Sequence, residues 1–463
     1  MLETTTKQMK NNRRKSFRFA TTRNFFLHIH SPRVHPYSLK PTYTFGLGVG
    51  AAFLFLILLF SGALLMLYYV PSVERAYASV KDIIFVVPGG RWLRNMHRWA
   101  GHGLVLIAFL HLARTFYTAA YAKGRRFNWI IGVALLIVTL FMSFSGYLLP
   151  WDQLAFWAVT IGSNIAASFR ELTDALGVTA YSDIGGFMKK VLIGGESVDQ
   201  QALTRFYMLH VLFLPITFLI LLGIHLWRIR KDGGLNIPHN ADELVGLNSN
   251  DDTAKINAWP TALWSELAVL MTILALLMIF SFAIDAPLLE PANPALPENP
   301  AKSPWYFLGI QELVSYSGFT GGILIPIGFI AFLISLPFMD MNENGVGLWF
   351  TNQRGRRTVA QSFVFSVLAT VSVIIFNELF GSLLDWLPAL PDVLAILINP
   401  GTILILLYVA WTAFISAKNG SKRSAALAMF TCVMGGLIIL TAIALAFRGP
   451  NWDFFWPPFG WLH

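Results

Sequence analysis

Nine stretches of this chain are apolar over enough length to cross a bilayer, which takes about 20 residues per helical crossing. They lie near 43–69, 93–121, 129–149, 205–229, 261–284, 320–338, 359–380, 399–416 and 424–447, the seventh interrupted at its end by Asn377 and Glu378. A chain that is 55% hydrophobic and only 13% charged lies outside the range of soluble globular proteins. The fold class expected is therefore an all-α integral membrane protein with about nine transmembrane helices. The 38 Phe, 15 Trp and 13 Tyr suit a lipid-facing surface and aromatic belts, and need no separate functional explanation. Cys432 stands alone, which excludes a disulfide framework, an iron–sulfur cluster and a thiolate zinc site within this chain.

Basic residues set the expected orientation, because cytoplasmic loops are enriched in Lys and Arg. With the N-terminus inside, the inner segments hold 22 of the 34 Lys and Arg, and the outer ones include the acidic, proline-rich "DAPLLEPANPALPENPAKSPW". The first 42 residues are polar and basic, unlike a cleavable signal, and are expected to stay in the cytoplasm. An odd number of spans then puts the C-terminus outside. The net charge of +9 is a topology signal and gives no reason to invoke nucleic acid.

Two histidines lie fourteen residues apart in the second span, His97 and His111, and two lie fifteen apart in the fourth, His210 and His225. At 100° per residue these spacings leave the members of a pair about 40° and 60° apart, so each pair shares a helix face. A rise of about 1.5 Å per residue separates them by roughly 21 to 22 Å, near opposite edges of the hydrocarbon core. The second and fourth spans run in the same direction, so His97 and His210 share the outer level, and His111 and His225 the inner. An isolated intramembrane histidine commonly bonds to a neighbouring backbone or polar group. Four at matched spacing and depth point instead to two haem b groups, each held axially by two imidazoles inside a four-helix bundle. His102, five residues from His97, points about 140° away and falls outside this ligand set.

Gly48 and Gly62 in the first span, and Gly132 and Gly146 in the third, repeat the fourteen-residue interval. A residue without a side chain lets a flat macrocycle approach the backbone, although glycine also mediates ordinary helix packing. Arg94, Arg114, Arg205 and Arg228 lie about one turn beyond the four histidines. Each could pair with a haem propionate or extend to the lipid headgroups, with haem contact favoured for Arg94 and Arg114.

The segments "RNMHRW", "FLHLAR", "SGYLLPWDQLAFWAV", "TRFYMLH", "GIHLWRIRKDGG", "WPTALWSELAV" and "SPWYFLGIQEL" resemble the cytochrome b subunit of the Rieske/cytochrome b, or cytochrome bc, complexes over roughly residues 20 to 360. The fifteen-residue histidine spacing and the "PWDQ" segment are similar to the photosynthetic form, in which this region is divided between two polypeptides. Here both halves share one chain. The resemblance implies a basic extension over 1–42, a di-haem four-helix bundle over 43–231, a cytoplasmic linker over 232–260, a C-terminal cytochrome b domain over 261–380, and additional helices over 381–463.

It also implies an activity. Quinol would be oxidised at an outer pocket, one electron passing to a Rieske iron–sulfur protein and on to a c-type cytochrome, the other crossing the membrane through the two haems, coupled to proton translocation. The pocket residues carried over are those of Gly146 to Gln153, including Tyr147, Pro150, Trp151 and Asp152, together with Trp305 and Tyr306. The family is dimeric, which implies a homodimer within a larger complex in a bacterial cytoplasmic membrane. Two departures follow. Where the family commonly has Pro-Glu-Trp-Tyr, this chain reads Ser303, Pro304, Trp305, Tyr306, so the usual proton acceptor is absent and Glu312 is a candidate substitute. The cysteine that attaches a third haem in the photosynthetic form would fall near Gly46, where none stands, so two haems are expected. The competing readings are a cytochrome b of another quinone-linked complex, without a Rieske partner or working towards quinone reduction, and a proton-coupled transporter using its histidines.

Overall fold

The computed structural model describes residues 27, 29–122, 124–247, 255–387 and 389–460; most of the expected N-terminal extension lies outside them. The main helices are α1 (Leu47–Met66), α2 (Ala76–Phe85), α3 (Gly90–Tyr117), α4 (Arg126–Tyr147), α5 (Gln153–Ala167), α6 (Ile184–Ile193) and α7 (Gln200–Lys231). They are followed by α8 (Ala258–Ala283), α9 (Trp305–Val314), α10 (Thr320–Met339), α11 (Gln353–Phe380), α12 (Pro400–Asn419) and α13 (Lys422–Ala446). Among the described residues nine of these, α1, α3, α4, α7, α8 and α10 to α13, are long and apolar enough to cross a membrane. They match the nine expected stretches, and the seventh continues unbroken through Asn377 and Glu378.

Local chemistry sets the helix ends. Asp152, Asn352, Asn399 and Ser421 each accept a backbone N–H of the first turn of α5, α11, α12 and α13, satisfying donors that a helix start leaves free. Gly420, at φ 59°, ends α12 in the left-handed conformation that glycine adopts without strain. A wide turn interrupts α7 at Leu209–Phe213, and another forms the first five residues of α10 at Thr320–Leu324. Each precedes a proline, Pro215 or Pro326, whose missing N–H leaves a carbonyl of the preceding turn without its helical partner.

α1 packs on α3, α3 on α4 and α4 on α7, while α8 closes against α1 and α3. Leu54, Phe55, Leu104, Met142, Phe218 and Leu277 fill the middle of this bundle, with Phe55 stacked on Phe218 at 4.0 Å. This apolar layer separates the two histidine levels. The last span is no appendage: α13 is the most deeply buried of the nine, packing against α9, α11 and α12. Its Phe430 also stacks on Phe116 of α3 at 3.9 Å.

The linker carries structure too. Arg33–Val34 pairs antiparallel with Ile256–Asn257, and the Tyr43 hydroxyl donates to the carbonyl of Asn236. The described part of the N-terminal extension is thereby docked on the linker. Nearby, Arg423 at the start of α13 meets buried Asp340 at 2.5 Å, and the Tyr121 hydroxyl donates to the same carboxylate.

Candidate functional site

The four intramembrane histidines meet as two pairs. His97 of α3 and His210 of α7 have ring centres 6.1 Å apart at an interplanar angle of 78°, and His111 and His225 repeat this at 6.5 Å and 77°. The packing of α3 and α7 in one bundle brings each histidine beside the one at its own level. One metal bonded to a nitrogen of each ring at about 2 Å would set the ring centres roughly 6 Å apart.

Hydrogen bonds fix the outer rings. His210 Nδ1–H donates to the carbonyl of Met142 at 3.0 Å. Ser61 donates its hydroxyl proton to the carbonyl of Ile57 at 2.7 Å, so at 2.9 Å from His97 Nδ1 it accepts the ring N–H. In both rings Nδ1 carries the proton and Nε2 keeps its lone pair, the tautomer that a metal ligand needs. Among the described residues no three His, Cys, Asp or Glu side chains converge as a metal cage. A two-nitrogen donor set suits a metal whose remaining ligands come from a macrocycle.

The four glycines face the four rings. A Cβ built on Gly62 would lie 3.2 Å from His97 Cε1, on Gly48 3.2 Å from His111, on Gly132 3.7 Å from His225, and on Gly146 only 2.5 Å from His210. The glycine repeat therefore makes room for the imidazoles themselves, a function the sequence reading assigned only to a macrocycle. The wide turn of α7 spans His210, where Pro215 loosens the helix.

A cavity of about 360 Å³ adjoins the outer pair. Gly62, Arg94, His97, Arg98, His102, Gly146, Tyr147, Pro150, His210 and Tyr306 contribute to its walls. Tyr306 is tied to Ser143 through their hydroxyls. Tyr147 lies under the Arg98 guanidinium, 4.8 Å from its ring centre.

Other expected site residues lie off the cavity wall. Asp152 accepts the backbone N–H of Ala155 at 2.9 Å and of Leu289 at 3.0 Å, so it caps α5 and anchors the 285–296 segment. Trp151 is buried in an apolar cluster with Leu148 and Phe156. Glu312 is fully buried, but its occupation differs from that expected: it meets Arg448 at 2.6 Å and accepts from Trp452 and Tyr316, each at 2.9 Å. A carboxylate held by three donors away from the cavity is placed as a counter-ion for Arg448, not as a substrate base.

The arginines divide likewise. Arg94 lines the cavity while donating to the carbonyls of Ala286 and Pro287, each at 2.7 Å. Arg114, near the inner pair, donates through Nε to the carbonyl of Tyr43 at 3.1 Å and leaves Nη2 buried without a partner. A buried unsatisfied cationic donor is costly and fits an anionic group such as a propionate. Arg205 is exposed and donates to the carbonyl of Val191, and Arg228 pairs with Asp232 at 3.0 Å. Neither lines the cavity.

His102 is the residue that sequence reasoning set aside. The 140° turn that takes it off the His97 face brings it to α9, where Trp305 Nε1–H lies 3.1 Å from its Nδ1 and the Tyr306 ring centre lies 5.6 Å away. Only the packing of α9 onto this bundle reveals that second face, and no periodicity reports it.

A multi-span helical membrane protein with two stacked imidazole pairs is the class that fold and site define. Residues 102–292 match the family model described as Cytochrome b(N-terminal)/b6/petB. The chain is 38% identical over 179 residues to cytochrome b6 of Heliobacterium mobile, covering 39% of this chain and 78% of that protein. It is 32% identical over 318 residues to the cytochrome bc complex cytochrome b subunit of Chlorobaculum thiosulfatiphilum, covering 66% and 68% respectively. A solved structure of a hyperthermophilic respiratory Complex III shares the fold, with TM-score 0.64 and 24% identity over 93% of this chain and 98% of that one. The chain belongs to the cytochrome b/b6 family.

Proposed function

We propose that this protein is the di-haem cytochrome b subunit of a cytochrome bc-type complex in a bacterial cytoplasmic membrane. On this reading it oxidises quinol at the outer cavity, works with a Rieske iron–sulfur protein and a c-type cytochrome as a homodimer within the larger complex, and couples this to proton translocation. The observation that carries the reading is the pair of imidazole pairs at 6.1 and 6.5 Å, each ring backed by a glycine. His97 with His210, and His111 with His225, would hold haem b, which when bound supplies one-electron transfer between the two levels of the membrane.

The chain's own groups have separate work. Ser61 and the Met142 carbonyl hold the outer imidazoles in the ligating tautomer, and Arg114 offers a guanidinium N–H at the inner level. Tyr147, Pro150 and Tyr306 wall the cavity that would receive the quinol ring. The buried layer around Phe55 and Phe218 keeps water and ions from joining the two levels. The N-terminus cytoplasmic and the C-terminus outside follow from the placement of basic residues.

A reduced-minus-oxidised spectrum of the purified protein, with a pyridine haemochrome count, tests the haem assignment. Two haem b per chain are expected, and none would overturn it. Co-purification of a two-iron, two-sulfur protein together with quinol-dependent cytochrome c reduction tests the rest.

A further inference from the structure

A second pocket, of about 670 Å³, has none of the four paired histidines in its walls. It forms where three stretches of chain meet: the short turns Pro36–Leu39 and Pro41–Thr44 ahead of α1, the linker at Leu244, and the loop that leads into α11. We infer that this pocket binds a phosphate group, carried either by a lipid headgroup or by a soluble molecule. Its lining includes three cations, Lys40, Arg356 and Arg357, and no Asp or Glu. Asp242, on the linker beside it, is engaged with His35 at 2.9 Å, and neither Arg356 nor Arg357 has an ion-pair partner among the described residues. Positive-inside bias explains arginines at one end of a span. It does not explain their gathering with Lys40, from a distant segment, around one concavity. Like charges facing a shared space repel, and a multiply charged anion between them removes that cost.

The walls are fixed before a ligand arrives. Gly347 and Phe350 donate their backbone N–H groups to the carbonyls of Thr118 and Tyr117, each at 2.8 Å, which ties the loop ahead of α11 to the end of α3. Phe350 and Thr351 hold φ of 59° and 69°, a left-handed conformation that costs energy outside glycine and that recurs at ligand sites. Lys40 donates one ammonium N–H to the carbonyl of Leu244 at 2.9 Å and lies 5.1 Å from the ring centre of Tyr37. An ammonium has three donors, so the anchored group keeps others for a ligand.

The donor set selects phosphate. Each guanidinium offers a planar fork that matches two phosphate oxygens, and Lys40 adds a point charge to the same group. Tyr37, Trp349 and Leu244 supply apolar surface for whatever the phosphate is esterified to, and the volume is that of a ligand pocket, larger than a bare ion needs. α1 and α11 begin nearby, at Leu47 and Gln353, which sets the pocket at the membrane edge, the depth of headgroup phosphates. The two sources share this chemistry and differ in whether the ligand brings acyl chains.

The test uses the full-length protein, stripped of lipid in detergent, and follows its thermal midpoint as phosphatidylglycerol, phosphatidylcholine or inorganic phosphate is added at constant ionic strength. Saturable stabilisation by phosphatidylglycerol and not by inorganic phosphate assigns a lipid headgroup, whereas saturation by inorganic phosphate assigns a soluble ligand. In either case Arg356→Gln and Arg357→Gln should each raise the half-saturating concentration on the order of tenfold. Lys40→Gln, on a different wall, should shift it in the same direction, so the result does not hang on the folding of one variant. Arg354→Gln removes the same charge from the same turn of α11, yet Arg354 is not in the pocket lining, and this variant should bind as wild type does. Stabilisation by neither phosphatidylglycerol nor inorganic phosphate overturns the site. An equal response to phosphatidylcholine does so too, by making the effect one of bulk lipid. Wild-type half-saturation in the arginine and lysine variants, or an equal loss in Arg354→Gln, would likewise overturn it.

Discussion

The carboxylate of Glu312 and the guanidinium of Arg448 meet at 2.6 Å across 136 positions of sequence, with both side chains almost entirely withdrawn from solvent. Arg448 also reaches Glu378 at 2.8 Å, so one cation ties the end of α13 to α9 and to the end of α11. Removing one partner of a buried pair strands the other charge, which typically costs about 3 to 5 kcal/mol. Arg448→Ala is accordingly expected to lower thermal stability sharply, while Arg448→Met combined with Glu312→Leu loses much less. Thermal unfolding of the detergent-solubilised protein checks the order. Glu312→Gln should leave the pH profile of quinol oxidation unmoved, since Glu312 does not line the cavity.

The glycine repeat gives a graded prediction. An alanine at Gly146 would put its methyl 2.5 Å from His210 Cε1, a distance that forces the ring or helix to move, whereas at Gly132 the corresponding contact is an ordinary 3.7 Å. Gly146→Ala should therefore disturb the outer pair strongly, Gly62→Ala and Gly48→Ala should do so mildly at 3.2 Å, and Gly132→Ala should be nearly silent. Haem content and band position of each variant read this order directly. Equal effects in all four would show that the contact distances do not govern the site.

Replacement of a single histidine separates the levels. His97→Leu is expected to abolish the outer haem signal and spare the inner, and His111→Leu the reverse, because the apolar layer around Phe55 and Phe218 lets the two levels pack independently. Redox titration of the remaining band in each variant is the measurement. Persistence of both bands in either variant would remove that histidine from the ligand set.

The spans and histidine pairs were legible because each rests on a single periodicity. Apolar length marks a crossing, and fourteen or fifteen residues return a side chain to the same helix face. The linker between α7 and α8 gave no such signal, since its pairing with Arg33–Val34 depends on contacts more than 200 positions distant. Glu312 misled for a related reason. Its distance from Trp305 along the chain suggested the pocket, whereas its partner Arg448 arrives from the far end of α13. His102 does point away from the ligand face, as its spacing shows, and what it points toward is α9, which sequence spacing cannot see.

The surface just past α8 supplies a pH prediction. Asp285, just past α8, is clamped by Nε–H and Nη2–H of Arg91 and accepts from Asn95 at 2.9 Å. Arg91 first, and Asn95 after it, hold its carboxyl down to about 2 from the ordinary 3.8. A depressed carboxylate contributes stability that is present above its unfolded value and lost as pH falls through the folded one. The clamp should therefore act fully above about pH 4 and fade between about 4 and about 2. Because both side chains are more than half exposed, its contribution is small and screened by salt. Thermal midpoints of wild type and Asp285→Asn, measured against pH at low ionic strength, should differ by a constant amount above that window and converge within it. Convergence already near neutral pH would show that the carboxylate is not held by Arg91.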